Sequence, residues 1–63
     1  MRINVWKNGV IVGYVKSVNP SRNTFSITQD VMKAKSYKSL AILMGDIDFC
    51  TMCKPGEYVY TYQ

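Results

Sequence analysis

Four groups of residues in this chain have types and spacings that chemistry could use. Cys50-Thr51-Met52-Cys53 has the C-x-x-C spacing of redox dithiols and of half a zinc site. Asp46 and Asp48 are two carboxylates close in sequence. Lys33, Lys35 and Lys38 surround Tyr37, the cation-plus-aromatic composition of a phosphate- or nucleotide-contacting surface, to which Lys16 and Arg22 could add. Tyr58, Tyr60 and Tyr62 recur with period two and so form a row on one side of a strand.

Each group has a plainer reading. A helix N-terminus acidifies reactive C-x-x-C thiols, but this pair falls at the end of a predicted helix, where the dipole disfavours thiolate. Zinc needs two further ligands, and the chain holds no other cysteine and no histidine. Structural thiols are therefore expected, with an intersubunit disulfide or a four-cysteine metal site bridging two chains as the alternative. Asp46 and Asp48 stand about 200° apart around a helix and cannot share a proton or a metal, so a solvated rim is expected of them. The tyrosine row could stack bases, but no Lys or Arg follows Lys54, and packing or a protein interface suits it better.

The missing histidine also removes the commonest general base and nucleophile partner. The four glycines stand singly, so no phosphate-cradling loop exists. No catalytic residue, cofactor or metal site is expected, and the chain reads as a non-enzyme.

The elements that must position these residues can be read along the chain. Residues 2–6 and 10–18 are rich in β-branched and aromatic types and read as strands. Asn8-Gly9 between them is the preferred pair for a type I′ hairpin, setting Val5 opposite Val12 and Trp6 opposite Ile11. Residues 19–23 form a second turn around Pro20, and 24–28 a third strand. Pairing Val18 with Thr24 groups Phe25 and Ile27 with Trp6, Ile11 and Val15. A one-residue slip groups them with Ile3, Val5, Val12 and Tyr14 instead. Asp30 is suited to cap a short helical turn through Ala34, and Ser36 or Ser39 to cap a main helix over 39–53. Gly45 weakens that helix, and Lys54-Pro55-Gly56 ends it. Residues 57–63 alternate as a final strand beside the first or the third. The architecture is a single α+β domain over 1–63, an antiparallel β-meander of three strands followed by one main helix and a C-terminal strand (β-β-β-α-β).

The helix carries an excess of apolar surface. At about 100° per residue, Leu40, Leu43, Met44, Ile47 and Cys50 share one face, the expected core stripe. Ile42, Phe49 and Cys53 fall on roughly the opposite side with Met52 beside them. One sheet buries one face, so the surface Ile42, Phe49 and Met52, rimmed by Asp46 and Asp48, is the expected protein interface. Its occupant is a target protein or a second copy in a homodimer.

The 63 residues allow one small domain, which buries only about 60% of its unfolded surface. Two cysteines exclude a disulfide framework, so association is the natural source of extra stability. A hydrophobic fraction of 48% against 19% charged residues excludes a disordered chain. A formal charge of +4 favours encounter with acidic surfaces of any kind. A basic nucleic-acid- or nucleotide-binding module on Lys33, Lys35, Tyr37 and Lys38 is therefore the alternative function. MRINVW has no apolar h-region and LAILM is too short to span a bilayer, so cytoplasmic residence without membrane contact is expected.

The run FSITQDVMKAKSYKS, then a helix, then GEYVYTY, resembles a pattern in short proteins of Gram-positive prophages. The likeness rests on Ile27, Thr28, Asp30, Ala34, Lys35, Tyr37 and the helix through Phe49. It implies a bacterial host cell and a protein that binds a host enzyme or defence complex, as anti-CRISPR proteins do. It carries no signature residue, so it implies no site.

Overall fold

The computed structural model describes all 63 residues. Strands β1 (Ile3–Lys7), β2 (Val10–Asn19) and β3 (Thr24–Thr28) form the meander, helix α1 spans Leu40–Cys53, and β4 (Val59–Tyr62) closes the fold. All strand pairs are antiparallel, in the order β3-β2-β1-β4, so the final strand lies beside the first. Crossing from β3 at one edge to β4 at the other requires the long connection that contains α1.

Local chemistry accounts for the joints. Asn8 and Gly9 both have positive φ, 54° and 77°, as a type I′ turn demands. Pro20 opens a short 3-10 turn, Pro20–Arg22, which ends on left-handed Asn23. Asp30 accepts from the Met32 N–H and starts a second, Val31–Lys33. Ser39 is the N-cap of α1, its hydroxyl accepting from the Ile42 N–H. Lys54 caps the far end and Gly56 turns the chain at a φ of 72°.

Two bulges in β2 correct the expected register. Trp6 does face Ile11, but Val5 faces Gly13 rather than Val12. The extra residue lies where Gly13 approaches β3 so closely that a Cβ would sit 2.6 Å from Ile27 Cγ2. A second irregularity at Lys16 leaves Val15 opposite Ile27 and Val18 opposite Phe25. Each bulge reverses the side-chain alternation beyond it, so neither regular grouping of Phe25 and Ile27 holds in full. They join Ile3 and Val5, with Val12 packed beside them, as the slipped grouping has it, and Val15 from the other grouping, without Tyr14, Trp6 or Ile11.

The core is accordingly Ile3, Val5 and Val15 from the sheet, Leu43 and Cys50 from α1, and Tyr37 from the connecting segment. Val12, Val18, Phe25, Ile27, Ile47, Tyr58 and Tyr60 pack around it. The opposite sheet face has no covering layer. Its residues cover one another, with the Trp6 indole N–H donating to Thr61 Oγ1 at 2.7 Å and the Arg2 guanidinium 5.5 Å from the Tyr14 ring centroid.

Candidate protein-binding surface

Helix α1 is apolar on every side, so composition alone does not set its rotation over the sheet. The observed rotation turns Leu43 and Cys50 fully inward, with Ile47 beside them. Leu40 and Met44, expected in the core stripe, sit on its margin and are exposed. The physical reason is the position of Asp46, whose polar contacts lie beneath the helix and draw that side of it inward.

Those contacts come from a strap. Residues 35–37 run beside β1 and β2, with the Lys35 N–H donating to the Val15 carbonyl at 2.9 Å and the Tyr37 N–H to the Met1 carbonyl at 2.8 Å. The Met1 ammonium donates back to the Tyr37 carbonyl. Thus held, the Lys35 ammonium reaches Asp46 Oδ2 at 2.8 Å and the Tyr37 hydroxyl donates to the same oxygen. Burial first, and then the Asp46 carboxylate, push ionisation of the Tyr37 hydroxyl well above its ordinary range.

This arrangement corrects two expectations. Asp46 is not a solvated rim residue of the apolar surface, because it faces the strap and is bonded to it. The constellation Lys33, Lys35, Tyr37 and Lys38 does not form a free basic patch either. Tyr37 is buried and Lys35 is paired with Asp46, leaving Lys33 and Lys38 exposed. No local spacing signals this pairing, since Lys35 and Asp46 stand 11 positions apart, one on the strap and one on the helix.

The remaining interface residues meet on the outer side of α1. Ile42 is 61% exposed and Met52 79%, with Asp48 exposed as well, while Phe49 and Cys53 are half-buried on the shoulder. Phe49, Met52 and Cys53 line a groove of about 340 Å³ with Asn23, where the end of α1 passes the 3-10 turn. Leu40, at 45%, and Met44, at 44%, extend the exposed apolar area along the other shoulder. The sequence pointed to them only through the all-round apolar character of the helix. Asp48 is the only charged side chain that α1 turns outward, and the helix has no Lys or Arg.

The thiols have no machinery around them. Cys50 is fully buried, and burial, followed by the proximity of Cys53 and Asp46, pushes its thiol up to about 12. Reactive cysteines shift the other way. Cys50 and Cys53 are both free, and no group of three or more Cys, Asp and Glu side chains is placed to hold a metal ion. No helix is long and apolar enough to cross a membrane.

Comparison with protein-family models, with curated proteins and with solved structures finds no match to this chain.

Proposed function

We propose that the chain is a non-enzymatic protein-binding module of phage type, an inhibitor that occludes a host enzyme or defence complex by docking the outer side of α1 against it. The observation that supports this most is the run of exposed Ile42, Met44 and Met52 on one well-capped helix. One exposed apolar side chain is ordinary, but several on one 14-residue helix leave more apolar area in water than a lone small domain needs to expose, as an interaction surface does. The absence of Lys and Arg from the helix favours an uncharged protein surface over a polyanion as occupant. The class of partner, a host enzyme or anti-CRISPR-like target in the bacterial cytoplasm, rests on the resemblance to prophage proteins alone.

The nucleic-acid reading is weaker, because its central pair, Lys35 and Tyr37, is occupied internally. Lys33 and Lys38 stay exposed, as do Lys16 and Arg22, but the cluster has lost its aromatic member to the core and Lys35 to Asp46.

The test pairs a binding and a functional readout on a double variant, Ile42→Asp with Met52→Asp. Both side chains face solvent, so the variant should keep its helical circular dichroism and melting temperature. The wild-type chain is expected to restore plating of a targeted phage on an immune host and to retain one host protein from nuclease-treated lysate. The variant should lose both. Equal activity of the two chains, or retention that vanishes with nuclease, would overturn the proposal.

A further inference from the structure

We infer that β4 is a dimerisation strand, through which two copies of the chain join edge to edge into one continuous eight-stranded sheet. The inference stands apart from the helix surface proposed above and rests on where the backbone groups of β4 point.

Arg2 and Gln63 exchange two backbone hydrogen bonds, Arg2 N–H to Gln63 C=O at 2.9 Å and Gln63 N–H to Arg2 C=O at 3.1 Å. The β1–β4 register continues from there without a shift, pairing Asn4 with Thr61 and Trp6 with Val59. In an antiparallel ladder, directly bonded pairs recur at every second residue. Thr61 and Val59 therefore direct their N–H and C=O groups at β1. Tyr60 and Tyr62 direct theirs away, along an edge that no other strand of the sheet covers.

That edge has only one of the usual protections, its length of four residues. Exposed edges in monomeric proteins otherwise carry Lys, Pro or a bulge, or are covered by another segment. The sequence of β4, VYTY, has no charge, no Pro and no Gly, and its pairing has no bulge. The other edge, β3, pairs with β2 across the Lys16 bulge and has a 3-10 turn beyond each end. The edge of β4 is also self-complementary. Centred on Thr61, an antiparallel pair of β4 strands sets Tyr60 opposite the partner's Tyr62 and Tyr62 opposite the partner's Tyr60. All the outward N–H and C=O groups of these residues are then bonded, four bonds in all. Thr61 meets the partner's Thr61 on one face, and the tyrosine rings pair across the seam on the other, both favourable cross-strand contacts. No Lys or Arg belongs to the strand, so the positive charge of each copy stays off the seam. A second copy satisfies this edge with nothing left over, which is why it is the occupant.

Two measurements test this. Light scattering during gel filtration should give twice the 7.2 kDa chain mass at high micromolar concentration. Amide exchange should show Tyr60 and Tyr62 protected more as concentration rises, while Thr61, bonded to β1, is protected throughout. Tyr62→Pro removes an outward N–H and leaves the β1 ladder intact, since proline is tolerated on an edge in that orientation. That variant should fold and run as a monomer. A monomeric wild-type chain, or a dimer in which Tyr60 and Tyr62 exchange freely, would overturn the inference, as would a folded Tyr62→Pro that stays dimeric.

Discussion

The Tyr37 hydroxyl donates to the Asp46 carboxylate across the junction between the strap and helix α1, and the Lys35 ammonium shares the same oxygen. Tyr37 is the only aromatic residue among the core side chains. The bond therefore ties the centre of the core to the rotation of the helix, and fixes which apolar residues of α1 are left outside.

Replacing Asp46 with Ala should cost about 1–3 kcal/mol of folding stability, because it leaves a buried hydroxyl without an acceptor and Lys35 without its counter-ion. Tyr37→Phe removes the hydroxyl but keeps the ring, so its cost should be nearer about 1 kcal/mol. Urea unfolding of both single variants and the double variant should give non-additive losses, since the Tyr37–Asp46 bond is lost in every one of them. Additive losses would show that the bond does not couple the strap to the helix.

Gly13 and Gly45 should respond in opposite directions to the same change. A Cβ on Gly13 would lie 2.7 Å from the Thr28 carbonyl oxygen, a backbone atom that cannot move aside without disturbing β3. Gly13→Ala should destabilise the fold by roughly 2–3 kcal/mol. Gly45 lies inside α1 with nothing within 4 Å of its would-be Cβ. Gly45→Ala should stabilise by about 1 kcal/mol, by limiting the freedom of the unfolded chain at a helical position. Thermal melts of the two variants beside the parent would check both signs.

These glycines also show what the sequence disclosed and what it withheld. Asn8-Gly9, Asp30, Ser39 and Lys54-Pro55-Gly56 act through neighbours a few residues away, so the hairpin, the caps and the helix end were legible. The bulges do not show in the alternation itself, although a lone glycine inside a strand pattern signals a bulge or a close approach. Without a bulge at Gly13, the alternation along β2 runs one residue out of phase with the observed pairing. The candidate surface was legible in part. Ile42 and Met52 stand where the helical period placed them, but a helix apolar all round has no sequence-encoded rotation. The helical period alone therefore puts Asp46 outside, whereas its two partners lie on a segment whose path depends on Val15 and Met1.

Burial of Cys50 has consequences both for its reactivity and for stability at high pH. Cys53 is half-buried and should react with an aromatic disulfide reagent in the native state, while Cys50 should react only as fast as the protein unfolds. In the fold the Cys50 thiol is pushed up to about 12 from an ordinary 9, and burial pushes the Tyr60 hydroxyl up to about 12 from 10. Below pH 9 both groups are protonated whether the chain is folded or not, so they make stability independent of pH there. Between pH 9 and 12 the unfolded chain releases these protons while the folded chain keeps them. The unfolded state then binds fewer protons, and stability falls as pH rises. The melting temperature should thus decline steadily from about pH 9 upward, and Cys50→Ala should make that decline shallower while lowering stability at neutral pH through the cavity it leaves. An alkaline decline equally steep in Cys50→Ala would show that the thiol is not among the groups that hold their protons in the fold.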